Sequence, residues 1–221
     1  MSRLVVKCGG AVMADAAETI HALAEHADVC VVHGAGPQIT AEMQRQDVPV
    51  RFVGGRRVTT PAGLAIARRA LVEANRSLCA ALGERAVGLI GDEIGLEATR
   101  IPELGLVGDP LPSRPPAVED ALDAGRIPVV APLAAGPLNV NADEAAAALA
   151  VGLGAERLLF VTDVPGLLRE GAVVPEIQAV EADLLLSAGE LEGGIVPKLR
   201  AAVTAARLGV QAEIGETAVL A

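Results

Sequence analysis

The stretch "DVCVVHGAGPQI", residues 28–39, holds a β-branched run, a turn with two glycines and then a proline. It reads as a strand at 28–33 followed by a helix from Pro37 to about Gln46, because proline suits the first helical position. Free backbone N–H groups at such a helix start form an anion site. The glycines match neither the Walker loop nor the dinucleotide pattern, and many tight strand-to-helix turns need glycine for geometry alone.

The same alternation extends in both directions. "RLVVK" at 3–7 reads as a strand and Ala14 to His26 as a helix. A long helix covers Pro61 to Gly83, with apolar positions at Leu64, Ala67, Leu71, Leu78 and Leu82, and "AVGLI" at 86–90 is a strand. Further on come a helix at 117–124, the strand 127–132, a helix from Asp143 to about Leu153, the strand 157–163, a helix from Pro197 to Leu208 and a strand-like end, "AVLA". Strands alternating with helices predict an α/β fold with a largely parallel sheet. Residues 91–116 are rich in Gly, Pro and acid, and suggest a hairpin or loop excursion at the edge of a site. The chain reads as one domain, with the Gly136 region as the boundary between an N-terminal lobe (1–136) and a C-terminal lobe (137–221).

The chain of 221 residues is 52% hydrophobic with 1% aromatics, so alanine, leucine and valine must supply the core. A net charge of −10 without a basic stripe argues against nucleic acid as a partner. No apolar run approaches the roughly 18 residues of a membrane span, and the N-terminus lacks the apolar core of a secretory signal. A cytoplasmic protein is expected. Three widely spaced cysteines predict reduced thiols, and three histidines show no metal spacing.

Polar and glycine residues gather where strands end and helices begin, the edge at which open α/β sheets bind ligands. In "VVKCGG" Lys7 closes a strand before two glycines; it is either an exposed strand end or a cation aimed at a ligand. In "GGRRVTT" Arg57 sits in a glycine-flanked loop and suits a carboxylate, whose two oxygens match the guanidinium fork. "LNVNADE" places Asn139, Asn141 and Asp143 at the mouth of an alanine-rich helix. Asn141 with Glu144 reads as a capping box and Asp143 suits the positive helix end, which leaves Asn139 unexplained. "FVTDVPGLL" ends a strand at Asp163 and turns at Pro165-Gly166. "GGIVPKLR" puts Lys198 in a first helical turn, where it opposes the helix dipole. Cations, amides and glycine turns at strand ends suit phosphoryl transfer, whose transition state carries charge on its equatorial oxygens.

In their order, "VVKCGG", "VVHGAGPQI", "GGRRVTT", "AGRIPVVAPL", "LNVNADEAAAALA", "LLFVTDVPGLL" and "GGIVPKLRAA" resemble the amino-acid kinase family over residues 4 to about 209. The resemblance implies an αβα sandwich with a largely parallel central sheet, as in carbamate kinase. It also implies ATP-dependent phosphorylation of the side-chain carboxylate of N-acetyl-L-glutamate, the second step of arginine biosynthesis. Lys7 and Lys198 would stabilise the phosphoryl group in flight, with Asp143 holding both ammonium groups. Gly10 and the turn Gly34, Ala35, Gly36 would present N–H groups to the phosphoryl and the acceptor. Arg57 would grip the acceptor's α-carboxylate, and Asn139 and Asn141 its acyl-amino end. Asp163, Val164, Pro165, Gly166, Leu167 and Leu168 would line the ATP pocket, and Mg²⁺ would be held mostly by the nucleotide phosphates.

The chain departs from the family's pattern in places. Ala35 replaces the middle glycine of the usual triple-glycine turn, where a positive φ would be strained. The first helix is short, and the chain ends soon after Leu208. The helix that precedes the first strand in arginine-inhibited hexameric relatives is missing, which implies a homodimer without arginine feedback. Two alternatives stay open: a kinase of another acidic acceptor, such as a carrier-bound α-aminoadipate or glutamate, and a non-catalytic ligand-binding paralogue.

Overall fold

The strand Ser2–Cys8 lies at the centre of an eight-stranded sheet and pairs in parallel with Ala27–His33 on one side and Arg157–Val161 on the other. This computed structural model describes residues 2–10, 13–162 and 164–221, and the side chains of all of these except 13–15. The full strand order is Glu176–Gln178, Thr217–Leu220, Gln211–Ile214, Arg157–Val161, Ser2–Cys8, Ala27–His33, Ile127–Ala131, Ala86–Ile90. The six strands from Gln211–Ile214 to Ala86–Ile90 are mutually parallel. Thr217–Leu220 turns back antiparallel as the second arm of a hairpin and carries Glu176–Gln178 in its own direction.

Helices cover both faces, so the strands bury both sets of alternating side chains, as parallel sheets do. The helices are α1 (Met13–Ala24), α2 (Gly36–Arg45), α3 (Pro61–Leu82), α4 (Pro116–Asp123), α5 (Ala142–Gly152), α6 (Ala179–Ala188) and α7 (Ile195–Arg207). Leu4, Val6 and Cys8 pack with Ile20 of α1 and with Leu78 and Leu82 of α3. Val5 points to the other face, into the core built by α4, α5 and α7. The two-residue period of a strand therefore sends Lys7 to the α5 side.

Each predicted helix forms within about two residues of its expected ends. In α3, Leu64, Ala67, Leu71, Leu78 and Leu82 are all buried, and the Thr60 hydroxyl caps the helix by accepting the Gly63 N–H at 3.1 Å. In α5 every residue from Ala145 to Ala150 is buried, because α5 is sandwiched between the sheet and α7. That explains its almost pure alanine and leucine: small side chains let two covering surfaces approach it from opposite sides.

The reading of 91–116 as an excursion holds in part. Ala98–Arg100 and Val107–Pro110 are strands of a second, four-stranded sheet completed by Leu138–Val140 and Leu133–Ala134. The parallel pairing of Asn139 with Val107 anchors the chain as it enters α5. Other elements escaped the sequence reading: α6, the strands Glu176–Gln178 and Gln211–Ile214, and the hairpins Phe52–Val53/Arg56–Arg57 and Leu168–Arg169/Ala172–Val173. The strands are two to four residues long, too short for a period to show. Helix α6 buries only Ala179 and Ala182 and carries no apolar stripe that marks a helix. Among the described residues no helix is long and apolar enough to cross a membrane.

Candidate active site

From the carboxyl ends of the adjacent strands Ser2–Cys8 and Arg157–Val161 the chain continues to opposite sides of the sheet, to Ala27–His33 from the first and towards Gln211–Ile214 from the second. This makes a switch point of the kind at which open α/β sheets bind ligands. A cleft of about 290 Å³ opens there, lined by Lys7, Gly10, Gly34, Ala35, Gly36, Arg57, Asn139, Asn141, Asp143 and Lys198 among others. The structure thus brings together ten of the residues singled out from sequence.

Lys7 forms the floor. Its ammonium lies 2.8 Å from Asp143 Oδ1, and both side chains are almost fully buried. Asp143 occupies the first turn of α5, where a carboxylate also meets the positive end of the helix dipole. Asn141 is the N-cap: its Oδ1 accepts the N–H groups of Asp143 (2.8 Å) and Glu144 (3.2 Å), while its Nδ2 donates to the Gly55 carbonyl (3.3 Å). Glu144 does not complete the capping box. Its carboxylate takes the Arg56 guanidinium at 2.9 and 3.0 Å, a stronger, charge-assisted partner than a backbone N–H. Burial pushes the Glu144 carboxyl above its ordinary range, against the pull of Arg56.

Arg57 is 7% exposed, and all its hydrogen-bond partners among the described residues are neutral. It donates to the Gly36 carbonyl (3.1 Å) and the Thr40 hydroxyl (2.8 Å), touches Met43 Sδ (3.5 Å), and stacks 4.5 Å from the Phe52 ring centroid. Burial alone pulls its pKa below the ordinary value, yet a guanidinium stays charged. A buried cation held by neutral groups on a cleft wall suits an anionic partner, because a buried charge is costly unless paired.

The glycine turn differs from expectation at two points. Ala35 has φ −143°, outside the left-handed region, so the expected positive-φ strain is absent. The Gly34 N–H is spent on the Cys8 carbonyl at 3.0 Å and is not presented to the cleft. A Cβ on Gly36 would meet nothing within 4 Å, so its glycine keeps open space in the cleft instead of avoiding a clash within the protein. At Gly10 a Cβ would come within 3.0 Å of Gln38 Oε1 and 3.3 Å of Ala35 Cα, so two loops approach closely there.

Behind the turn, His33 is fully buried. Asn75 Nδ2 donates to the Val129 carbonyl (2.8 Å) and lies 3.1 Å from His33 Nε2. A carbonyl only accepts, so the amide nitrogen is correctly placed; Nε2 is the acceptor and Nδ1 carries the ring proton. Burial lowers the His33 pKa to about 4. Asn139 donates to the Thr59 hydroxyl at 3.1 Å, and Thr59 in turn donates to the Arg57 carbonyl at 2.7 Å, which ties the Asn139 strand to the Arg57 hairpin.

Lys198 lines the same cleft from α7 and donates to the Gly194 carbonyl at 3.3 Å. The structure pairs Asp143 with Lys7. Val164, Pro165, Gly166, Leu167 and Leu168 line a second cleft of about 310 Å³ with Glu190, Gly194 and Ile195, at the start of the same α7. Asp163 lies outside the described residues. That loop is fixed by Thr217, whose hydroxyl accepts the Leu167 N–H (2.8 Å) and donates to the Val174 carbonyl (2.7 Å). Gly166 has φ +148°, and a Cβ there would fall 2.5 Å from the Thr217 hydroxyl oxygen. Sequence reasoning missed Thr59, Asn75, Thr162 and Thr217. Only Thr162, a polar residue at a strand end beside the flagged Asp163, offered a signal.

The sequence pattern of the amino acid kinase family matches residues 2–215. An acetylglutamate kinase of Rubrobacter xylanophilus is 43% identical over 97% of this chain and 88% of its own length. One of Geobacillus kaustophilus is 39% identical over 91% of this chain and 84% of its own. Among solved structures, smu.665 from Streptococcus mutans superposes with a TM-score of 0.90 at 27% identity, covering 99% of this chain and 98% of that one. Carbamate kinase from Giardia lamblia bound to AMP-PNP superposes with a TM-score of 0.74 at 16% identity, covering 99% and 98%, a likeness of fold alone. The chain belongs to the amino acid kinase family.

Proposed function

We propose that this chain transfers the γ-phosphoryl group of ATP to the side-chain carboxylate of N-acetyl-L-glutamate, giving N-acetylglutamyl 5-phosphate and ADP, a step of arginine biosynthesis. The relatives named acetylglutamate kinase match over most of both lengths and support this substrate. The observation that carries the chemistry is the buried Lys7–Asp143 pair flanked by two further cations, Arg57 on one wall and Lys198 on the other.

The attacking carboxylate is already ionised near neutral pH, so no general base is required. Lys7, oriented by Asp143, retains ammonium donors for the equatorial oxygens of the moving phosphoryl group. Lys198 meets the same charge from α7. Because charge on those oxygens grows in the transition state, fixed cations favour it over the ground state. Arg57 takes the acceptor's α-carboxylate, and the Asn139–Thr59 wall meets the acyl-amino end. Asn141 contributes chiefly by holding the α5 start in place. The Gly36 region leaves space for the acceptor.

ATP lies along the cleft of residues 164–168. Among the described residues no three His, Cys, Asp or Glu side chains come together as a metal cage. Among the described residues that line the cleft, the carboxylate Asp143 is already held by Lys7. The donor set therefore suits Mg²⁺ that arrives on the nucleotide phosphates, where it would neutralise phosphate charge. Residues 1–136 supply most of the acceptor side, with Asn139 joining them from the second lobe, and the rest of 137–221 supplies the nucleotide side, in a cytoplasmic homodimer.

The test is hydroxylamine trapping of acyl phosphate with ATP and N-acetylglutamate, glutamate, aspartate or α-aminoadipate. Hydroxamate with N-acetylglutamate alone is expected. A stronger signal with another acid reassigns the acceptor, and no signal from folded protein removes the catalytic reading.

A further inference from the structure

The turn Gly54-Gly55 of the Arg57 hairpin is grasped by helix α7. Arg200 Nη1 donates to the Gly54 carbonyl at 3.1 Å, and a Cβ on Gly55 would sit 3.4 Å from Pro197 Cβ. Pro197 and Arg200 are three apart and share one face of α7, with Lys198 between them in the sequence. On the other side, Arg56 is tied to Glu144 and to Asp109, and Asn141 holds the Gly55 carbonyl. Gly54 and Gly55 both adopt positive φ (57° and 82°), which aims successive carbonyls outward at these donors.

Arg200 is exposed and lies outside the catalytic cleft lining, so neither burial nor contact with substrate explains its hydrogen bond. It joins the hairpin that carries Arg57 to the helix that carries Lys198. We propose that Arg200 is a positioning residue that couples acceptor occupancy at Arg57 to the placement of Lys198. This rests on the kinase reading above. An acceptor that fixes Arg57 fixes the hairpin turn, and the Gly54 carbonyl then holds α7 by its first turns. By linkage the effect runs both ways: a nucleotide that orders α7 tightens the acceptor by the same factor. One such hydrogen bond accounts for a coupling of about three- to tenfold.

The experiment measures acceptor affinity by calorimetry with and without a non-hydrolysable ATP analogue, in the parent protein and in Arg200→Ala, Arg200→Gln and Arg200→Lys. The parent is expected to bind N-acetylglutamate several-fold more tightly with nucleotide present. Arg200→Ala and Arg200→Gln lose that factor while keeping thermal stability and the affinity for nucleotide alone, and Arg200→Lys restores part of it. In turnover at saturating acceptor, Arg200→Ala lowers kcat about three- to tenfold and raises the KM for ATP by a similar factor, as reciprocity requires. A parent protein without coupling, or coupling retained in both Ala and Gln variants, overturns the inference while leaving the kinase reading intact. A parent that binds neither ligand overturns both. A purely structural role for Arg200 is revealed by a lowered melting temperature with both affinities weakened together, and it also overturns the inference.

Discussion

Replacing Asp143 by Asn separates what the Lys7–Asp143 pair does for the fold from what it does for the reaction. The pair sits at 2.8 Å with side-chain exposures of 6% and 8%, so the substitution strands an almost fully buried ammonium. Breaking such a pair on one side costs roughly 3–5 kcal/mol, and the adjoining open cleft, through which water reaches Lys7, puts the cost near the lower figure. For a chain of this size about 3 kcal/mol corresponds to a fall in melting temperature of about 6–12 °C. The same loss of orientation, applied to the transition state, lowers kcat by about two orders of magnitude. Thermal unfolding and hydroxamate-trapped turnover read the two effects. The double variant Lys7→Met/Asp143→Leu distinguishes them, because replacing both charges by apolar groups restores stability to within about 1 kcal/mol of the parent. Turnover stays lost, since Lys198 alone is left to face the phosphoryl group. A single variant with unchanged melting and kcat, or a double variant that regains turnover, would refute the reasoning.

Arg57→Met removes the buried guanidinium and should raise the KM for the acceptor about 30- to 100-fold, the worth of a charge-assisted contact, with the KM for ATP little changed; an unchanged acceptor KM removes Arg57 from recognition. His33 has a folded pKa of about 4 against 6.5 for the free side chain, so between these values the unfolded chain binds more protons. Its contribution of roughly 3 kcal/mol is fully present above pH 6.5 and lost as the pH falls towards 4, which urea unfolding across that window should show as a slope that His33→Gln flattens. Gly36→Ala should keep the melting temperature and weaken ligand binding, because its Cβ would enter open space in the cleft. Ala35→Gly should not raise kcat and should cost up to about 1 kcal/mol of stability, since φ is negative at this position and glycine relieves no left-handed strain while loosening the unfolded chain; a gain in kcat would show that the methyl crowds the acceptor.

Much of this architecture is legible in sequence because local rules coincide there with the tertiary answer. The run "DVCVVH", the prolines that open α2 and α3, and the apolar spacing of α3 each point to one structure. Lys7, Asp143 and Lys198 are legible as charges at strand-to-helix junctions, and their convergence follows from the parallel sheet. What escaped depends on partners distant along the chain. Glu144 looks like half of a capping box until Arg56 arrives from 88 residues away. Thr217 supports a loop 50 residues earlier, and nothing around "GETAVL" announces that. Ala35 reads as a departure from a glycine pattern, yet its φ is negative and asks for no glycine.

The central claim is attack by an oxygen of the acceptor's carboxylate on the transferred phosphorus, with Lys7, Asp143 and Lys198 supplying electrostatics. The measurement is turnover with N-acetylglutamate labelled with ¹⁸O in its side-chain carboxylate, followed by hydroxylamine cleavage and mass analysis of the released phosphate. Direct attack leaves an acceptor oxygen bridging carbon and phosphorus, and hydroxylamine breaks the bond on the carbon side. The account therefore predicts phosphate carrying one ¹⁸O per hydroxamate formed. Unlabelled phosphate would show that water attacks the nucleotide and would contradict it.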